Sequence, residues 1–242
     1  MHKIISFQTI SSTNAYLKDN YRDLAEGDVC FSLHQSEGRG RLGRVWKDDG
    51  KDLLFSILFK VDLDENFASA LPLIAGAAME ETLKELGIKT AIKWPNDILL
   101  GDRKCCGILV EAITEEKMRA IVLGVGLNLN EESFPEEIAY KATSLFLKDG
   151  KIRNPQEVLP LYLRHFDALL SNYRKGGKAY LEVVANHFYL FQKKVSLDYH
   201  GEGIVGEVLG IDDKGNLVVF DGEKEHHVSS GEATLERNYK SL

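Results

Sequence analysis

The stretch around which the chain is organised is residues 34–46, which read His34-Gln35-Ser36-Glu37-Gly38-Arg39-Gly40-Arg41-Leu42-Gly43-Arg44-Val45-Trp46. Three glycines and three arginines fall within seven of these residues. Guanidiniums about 8 Å apart repel one another by about 2 kcal/mol at an effective dielectric of about 20. If the segment is extended, Arg39 and Arg41 share one side and Arg44 faces the other. We therefore predict a loop that is mobile when empty and folds onto a phosphate or a carboxylate, the anions that planar bidentate donors suit.

The same letters satisfy the G-x-G-x-x-G pattern, but a dinucleotide-binding site is a poor interpretation. That fingerprint needs a strand before it and a helix after it. Here the next segment, residues 53–59, is rich in β-branched and aromatic residues and reads as a strand. The loop therefore connects two strands. A solvated basic turn is the ordinary alternative, and the glycine spacing and Trp46 argue against it.

Composition excludes several classes of protein. The 242 residues are 44% hydrophobic and 28% charged, as in an ordinary globular chain. The net charge of −7 argues against a protein that coats nucleic acid. No apolar run is long enough to span a membrane, and the N-terminus lacks a signal-peptide pattern. The three cysteines, Cys30, Cys105 and Cys106, read as buried thiols in a reducing, cytoplasmic compartment.

The chain up to residue 191 alternates predicted strands and helices. Apolar runs predict strands at 4–10, 29–34, 53–59, 90–94, 98–100, 105–113 and 120–130. Periodicity and capping residues predict helices that follow residues 11–14 and that span 66–86, 135–147, 155–173 and 178–188. Pro72 is expected near the first turn of its helix, Pro95 to hold Trp94 extended, and residues 101–104 to form a hairpin turn. Gly124 and Gly126 mark places where another group approaches the backbone closely.

After about residue 192 the pattern changes to short strands separated by glycine turns. These strands are predicted at 194–199, 203–211, 217–220 and 225–229. We expect a domain boundary near Phe191, with residues 1–191 forming the larger domain and residues 192–242 a small β-barrel or sandwich.

With these pieces in order, the chain resembles the biotin protein ligases over almost its whole length. The resemblance is carried by motifs that occur in the family's order and spacing. The first two are Ser12-Thr13-Asn14 and Gly38-Arg39-Gly40-Arg41-Leu42-Gly43-Arg44 followed by Trp46, which we call the glycine–arginine loop. The others are Lys93-Trp94-Pro95-Asn96-Asp97, Lys104 followed by Gly107-Ile108-Leu109-Val110-Glu111, and Gly124-Val125-Gly126-Leu127-Asn128. The resemblance implies an α+β fold, in which helices flank a mixed, mostly antiparallel sheet like that of class II aminoacyl-tRNA synthetases. It also implies that the small C-terminal barrel is SH3-like.

The resemblance implies an enzyme that joins the carboxylate of biotin to ATP and passes biotin from biotinyl-5'-adenylate to one lysine of a biotin carboxyl carrier protein domain. Two anions have to meet in such a site, so fixed cations around the α-phosphate are required, with Mg²⁺ for the rest of the triphosphate. The mixed anhydride is destroyed by water, so the site has to close over it. A glycine-rich loop ordered by its own ligand would do so.

The resemblance assigns roles residue by residue. Those expected to act on the reacting carboxylate and α-phosphate are Lys104, Arg39 and Arg41. Those expected to bind biotin are Ser12, Thr13, Asn14, Gln35, Gly38, Arg39, Gly107 and Leu109. Those expected to bind ATP or the adenylate are Gly40, Arg41, Arg44, Trp46, Lys93, Asn96, Asp97 and Asn128. Asp97 is also a candidate to place Mg²⁺ or the attacking lysine.

Several of these residues have plain structural interpretations beside the functional ones. Lys104 reads equally as a solvated hairpin lysine, and Trp46 as a core residue. Asn96 and Asn128 fit turns. Lys93 and Asp97 together would make an internal ion pair.

Three competing functions are considered. A lipoate–protein ligase shares the chemistry, but the glycine–arginine loop and the Lys-Trp-Pro-Asn-Asp block favour biotin. A non-catalytic biotin or adenylate sensor is disfavoured because the catalytic set is complete. An RNA-binding protein is disfavoured by the acidic net charge.

Partners and further domains are also constrained. Many bacterial members of the family carry a helix-turn-helix before the ligase, but Ile4 already begins the first predicted strand, so we expect a monofunctional ligase that binds no nucleic acid. Whether it is a monomer or a homodimer is left open. The adjacent pair His226 and His227 has poor geometry for chelation and fits a barrel strand better than a metal site.

Overall fold

The larger part of the fold is a seven-stranded sheet, seen in a computed structural model that describes residues 2–60 and 63–236. Its strands are β1 (Ile4–Ile10), β2 (Val29–Gln35), β3 (Leu53–Phe59), β4 (Ala91–Lys93), β5 (Asp97–Leu100), β6 (Arg103–Thr114) and β7 (Met118–Leu127). They lie in the order β1-β2-β3-β7-β6-β5-β4. Only the β1–β2 pair is parallel, so the sheet is mixed and mostly antiparallel, as predicted.

Helices cover this sheet. They are α1 (Thr13–Asn20), α2 (Glu65–Glu85), α3 (Glu136–Ala139), α4 (Leu145–Asp149), α5 (Pro155–Arg174) and α6 (Ala179–Asn186). The long helix α2 packs against both α5 and the sheet, which is why residues all round its surface are buried. Helix α5 buries one stripe at helical spacing, including Leu159, Tyr162 and Phe166. None of the helices formed by residues 2–60 and 63–236 combines the length and the apolarity that a membrane crossing requires.

A second, five-stranded antiparallel sheet follows. Its strands are β8 (Lys194–Tyr199), β9 (Glu202–Ile211), β10 (Leu217–Phe220), β11 (Glu225–Val228) and β12 (Thr234–Leu235), in the order β11-β10-β9-β8-β12. Its buried side chains, such as Val195 and Val219, belong to the same apolar cluster as those of the larger sheet. The indole N–H of Trp94 donates to the carbonyl of Gly215 at 3.1 Å and so joins the two parts of the chain.

Most predicted strands and helices are confirmed within one or two residues, and the differences have physical causes. The predicted helix over 135–147 is wrong: it is two short helices, because residues 141–143 form backbone hydrogen bonds with Lys104 and the Ser144 side chain starts a new helix by capping Leu147 N–H. Pro72 lies in the interior of α2, not near its first turn. The Trp94–Pro95 peptide bond is cis.

Two smaller differences concern turns and edges. The hairpin turn between β5 and β6 is confined to Gly101 and Asp102, so that Lys104 stands on a strand. The short edge strand β12 was not predicted, because two residues carry too little pattern to be recognised.

Candidate active site

One cleft, partly open to solvent, gathers most of the predicted site residues. Predicted residues that line it are Ser12, Thr13, Asn14, Gln35, Arg39, Gly40, Arg41, Trp46, Asn96, Lys104, Gly107 and Leu109. They come from the start of α1, the end of β2, the glycine–arginine loop, the turn between β4 and β5, and strand β6. Lining residues that were not predicted for the site are Leu54, Phe55, Ile108, Gly124, Val125 and Gly126, all of them on β3, β6 and β7.

One end of the cleft is polar because two segments end there together. The parallel pairing of β1 with β2 places Ile10 opposite Gln35, so the first turn of α1 meets the end of β2. Thr13 donates its backbone N–H to Gln35 Oε1 at 2.7 Å, and its Oγ1 lies 3.0 Å from the same oxygen. The Ser12 side chain caps α1 by accepting from Ala15 N–H. The end of the cleft therefore offers an amide and two hydroxyls to a small polar ring.

A buried polar network stands behind that end. The Ser56 hydroxyl lies 2.7 Å from Thr13 Oγ1 and 2.5 Å from Asn14 Oδ1. Asn14 Nδ2 donates to Glu111 Oε2 at 2.8 Å, and Lys18 Nζ lies 2.8 Å from Glu111 Oε1. Burial acts to raise the pKa of Glu111, but the hydrogen bonds from Lys18 and Asn14 outweigh it, so the pKa is lowered and the carboxylate stays charged.

Ser56 was not predicted, although the sequence carried a signal for it. It is the single hydroxyl in the apolar strand Leu-Leu-Phe-Ser-Ile-Leu-Phe at 53–59, and its side chain is fully buried. A buried hydroxyl needs a partner, so a polar network could have been expected there.

The glycine–arginine loop forms a small hairpin whose tip is a 3₁₀ turn at Arg41–Gly43. Gly40 N–H donates to Arg44 O at 2.7 Å, and Trp46 N–H donates to Gly38 O at 2.9 Å. An added Cβ at Gly38 would lie 2.6 Å from the Trp46 carbonyl oxygen, so this closure needs glycine there.

The condition under which Arg44 would face away from Arg39 and Arg41 is not met, because the segment is not extended but turns at Arg41–Gly43. Arg41 donates to Asn96 Oδ1 at 2.9 Å and to the carbonyl of Gly231 at 3.0 Å. Arg44 makes a bidentate ion pair with Glu232, at 2.9 and 2.7 Å. The hydrogen bonds from Arg44 lower the pKa of Glu232. Both arginines therefore tie the loop to the small sheet domain, because the turn breaks the alternation of an extended chain.

Lys104 stands across the cleft from this loop. Its ammonium lies 2.6 Å from Asp97 Oδ1 and 5.6 Å from the centre of the Trp46 ring. Asp97 therefore pairs with Lys104, and not with Lys93, which lies opposite Asp97 in the β4–β5 register. The indole Nε1 of Trp46 is buried and has no hydrogen-bond partner among residues 2–60 and 63–236. The cleft thus holds an ammonium, two guanidiniums and an N–H donor without a partner.

Glycines make room for the aromatic ring. An added Cβ at Gly107 or at Gly126 would lie 2.8 Å from a ring atom of Trp46. The two glycines are opposite one another in the β6–β7 register, so the Trp46 ring packs directly on the backbone of both strands.

Five of the predicted site residues do not line the cleft, and they are Gly38, Arg44, Lys93, Asp97 and Asn128. Asn128 is buried and donates its side-chain amide to Thr143 O at 2.9 Å, which holds the segment before α4. A role for Asn128 toward the nucleotide stays a prediction.

The cysteine and histidine interpretations can also be compared with the structure. All three cysteines are free and buried, as predicted, and burial raises the pKa of Cys105 to about 12. The rings of His226 and His227 donate to different carboxylates, those of Asp221 and Asp212, which lie in neighbouring turns. Over the described parts of the chain, 2–60 and 63–236, no group of three His, Cys, Asp or Glu side chains is arranged to hold a metal ion.

Comparisons with known proteins agree with this geometry. Residues 6–128 match the Biotin/lipoate A/B protein ligase family, and residues 193–235 match the biotin protein ligase C-terminal domain. The chain is 33% identical over 214 residues to the bifunctional ligase/repressor BirA of Escherichia coli, an alignment that covers 87% of this chain and 67% of that relative. It is 30% identical over 230 residues to the biotin–[acetyl-CoA-carboxylase] ligase of Mycobacterium tuberculosis, covering 91% and 84% of the two chains.

Among solved structures, the chain is similar to the biotin protein ligase from Aquifex aeolicus in complex with biotin and ATP. The TM-score is 0.88 at 29% identity, over 98% of this chain and 99% of that one. The likeness therefore extends through both sheets.

Proposed function

The chain belongs to the biotin/lipoate A/B protein ligase family, and from that premise we propose that it activates biotin with ATP and transfers biotin to one lysine of a biotin carboxyl carrier protein domain. The observation that supports this most directly is the cleft itself. It brings the ammonium of Lys104, the guanidiniums of Arg39 and Arg41, and the polar end formed by Thr13 and Gln35 into one space. Biotin has a polar ring at one end and a carboxylate at the other, and the cleft has the matching order.

The first step joins two anions. An oxygen of the biotin carboxylate attacks the α-phosphorus of ATP, and the bond from that phosphorus to pyrophosphate breaks. Lys104 contacts both the carboxylate and the α-phosphate, while Arg39 and Arg41 close over them. Removing one such preorganised positive group typically costs 10²–10³-fold in rate. The lysine has to leave Asp97 for the ligand, so their 2.6 Å contact describes the resting arrangement.

The second step breaks the new anhydride. The amine of the carrier lysine attacks the biotinyl carbonyl carbon, an amide forms, and AMP leaves with the electrons of the broken C–O bond. Once Lys104 has turned to the phosphate, Asp97 loses its partner, and it is our candidate to accept the proton that the amine loses. Trp46, with its indole N–H free, lies beside the adenine.

Magnesium fits the site as an ion held chiefly by the triphosphate. Mg²⁺ usually binds through one or two carboxylates together with substrate phosphates, and the carboxylate of Asp97 lies 2.6 Å from the Lys104 ammonium. Asp97 would hold the ion, which supplies charge neutralisation at the triphosphate.

Other parts of the proposal concern the setting. The domain boundary lies near Phe191, between residues 1–191 and 192–242. Free, buried thiols and the use of ATP fit a cytoplasmic enzyme. The net charge of −7 favours small molecules and a protein acceptor over nucleic acid as partners.

The test is mass spectrometry of the purified protein after incubation with biotin and Mg-ATP. Biotinyl-adenylate should appear, and pyrophosphate exchange should depend on biotin and not on lipoate. Lys104→Ala should abolish both signals. Lys51→Ala, which removes another exposed ion pair, with Glu132, should keep them. Exchange driven by lipoate alone would overturn the assignment of biotin.

A further inference from the structure

The buried network behind the cleft has fewer protons than contacts. Two hydroxyls, of Ser56 and Thr13, make three short oxygen–oxygen contacts: 2.5 Å to Asn14 Oδ1, 2.7 Å between the hydroxyls themselves, and 3.0 Å to Gln35 Oε1. Each hydroxyl has one proton to donate. One of the three contacts therefore has no hydrogen between its oxygens.

The distances decide which contact lacks the proton. Two oxygens without a hydrogen between them repel, so the shortest contact, from Ser56 to Asn14 Oδ1, has to carry the Ser56 proton. The 2.7 Å contact then has to carry the Thr13 proton, donated to Ser56. The 3.0 Å contact is left without one, and Gln35 Oε1 is still satisfied by the backbone N–H of Thr13 at 2.7 Å. Thr13 Oγ1 thus turns a lone pair, and not a proton, toward the cleft.

The direction in which these hydrogen bonds donate is set by a charge at the far end of the network. Asn14 can present either its oxygen or its NH₂ group to Ser56. Glu111, held ionised by Lys18, can only accept, so it takes the NH₂ group of Asn14 and leaves the oxygen for Ser56. All the side chains of this network are buried or half-buried, and Ser56 is completely shielded from water.

We propose that Glu111, Asn14 and Ser56 are positioning residues that fix Thr13 as a hydrogen-bond acceptor, so that the cleft selects a ligand ring with an N–H donor at that point. The proposal rests on the biotin ligase function proposed above, since the ureido ring of biotin carries two such N–H groups. None of the three side chains needs to touch the reacting atoms. Their effect passes through the orientation of one hydroxyl proton.

The test uses biotin and its two cyclic carbamate analogues, in each of which one ureido N–H is replaced by a ring oxygen. Each compound is measured by direct calorimetric binding without ATP and by adenylate formation. The wild-type protein should disfavour one carbamate by at least about a hundredfold, because two acceptors would face each other at Thr13.

Two variants release the proton of Thr13 in different ways. Ser56→Ala removes its acceptor, so the Thr13 hydroxyl is no longer committed to Ser56 and can turn its proton to Gln35 Oε1 or to an acceptor atom of the ligand. Glu111→Gln lets Asn14 turn round, because glutamine can both donate and accept. In each variant the preference for biotin over that carbamate should fall about tenfold or more. The KM for biotin should rise, while the KM for ATP stays unchanged.

A second substitution supplies the rescue. Adding Asn14→Asp to Glu111→Gln exchanges the amide and the carboxylate, and an aspartate at position 14 can only accept from Ser56. The double variant should recover the wild-type preference to within a few-fold. Ser32→Ala is the matched control: Ser32 is also fully buried, on the neighbouring strand, and donates to His34 O at 2.7 Å.

The outcomes separate this proposal from the enzymatic one. The proposal that these residues orient the Thr13 proton is overturned if Glu111→Gln keeps the wild-type preference for biotin over the carbamate. It is also overturned if the double variant recovers no more of that preference than Glu111→Gln has. Both results count even if Ser56→Ala fails to fold. If biotin binds with the expected preference but no adenylate forms, the positioning role of Glu111, Asn14 and Ser56 stands and the ligase function fails. If biotin does not bind at all, both fail.

Discussion

Glu232 is predicted to control how long the enzyme keeps its reactive intermediate. Arg44 and Glu232 meet in a bidentate pair, but their side chains are 63% and 42% exposed. Exposed pairs contribute at most about 1 kcal/mol, far less than buried ones. Removing the Glu232 carboxylate should therefore weaken loop closure about fivefold, because 1.4 kcal/mol corresponds to a factor of ten. The loop is not released completely, since Arg41 still donates to Gly231 O.

The measurement is a chase experiment with preformed, labelled biotinyl-adenylate. Release from Glu232→Ala should be about fivefold faster than from the wild type, and faster still from Glu232→Arg, which puts a third guanidinium beside Arg41 and Arg44. Combining Glu232→Arg with Arg44→Glu restores an opposite-charge pair and should slow release again.

A remote ion pair supplies the control. Glu85 accepts from Arg164 at 2.6 Å and from His165 at 2.8 Å and is exposed to a similar degree. Glu85→Ala should leave adenylate retention unchanged. If Glu232→Ala holds the adenylate as long as the wild type, or if the double reversal releases it as fast as Glu232→Arg, the small domain does not hold the loop closed.

Three further predictions follow from single residues. Lys104→Ala should lower the rate of adenylate formation by at least about 10²-fold in single-turnover assays, with Arg103→Ala as the unaffected neighbour. Gly126→Ala should displace the Trp46 ring, since its Cβ would lie 2.8 Å from that ring, and should change indole fluorescence while slowing adenylate formation about tenfold. Burial raises the pKa of Asp52 well above its usual range. The native carboxyl therefore keeps its proton at a pH where the unfolded one has lost it, and stability falls as the pH rises above about 4. Asp52→Asn should remove this loss and raise the free energy of unfolding by about 1–3 kcal/mol at pH 8, with little gain at pH 4, as measured by urea denaturation.

The strands of the large sheet can be predicted from the sequence because they are continuous apolar segments. Residues 53–59 and 120–127 are apolar on both faces apart from Ser56, which suits strands that lie between helices and neighbouring strands. The helix predicted over 135–147 fails for the opposite reason. Its local pattern is overridden by backbone hydrogen bonds from residues 141–143 to Lys104, about forty residues earlier in the chain.

The site residues divide in the same way. Those at the start of α1 and on the glycine–arginine loop can be predicted because local chemistry marks them, namely capping hydroxyls and clustered charge. The partners of Arg41 and Arg44 cannot, because Gly231 and Glu232 are nearly 190 residues away in sequence and carry no motif of their own. From the sequence alone, the glycine–arginine loop therefore gives no sign that Arg41 and Arg44 hold it against the small sheet domain.

The glycines of β7 show how one strand serves both ends of the cleft. The sequence marks Gly124 and Gly126 as points of close approach, and the structure identifies what approaches. An added Cβ at Gly124 would lie 2.2 Å from Asn14 Oδ1, and one at Gly126 would lie 2.8 Å from the Trp46 ring. Residues two apart in a strand share a face. The network that orients Thr13 and the aromatic ring that ends the loop therefore rest on the same few ångströms of backbone, so a shift of β7 that disturbs ring recognition would also disturb loop closure.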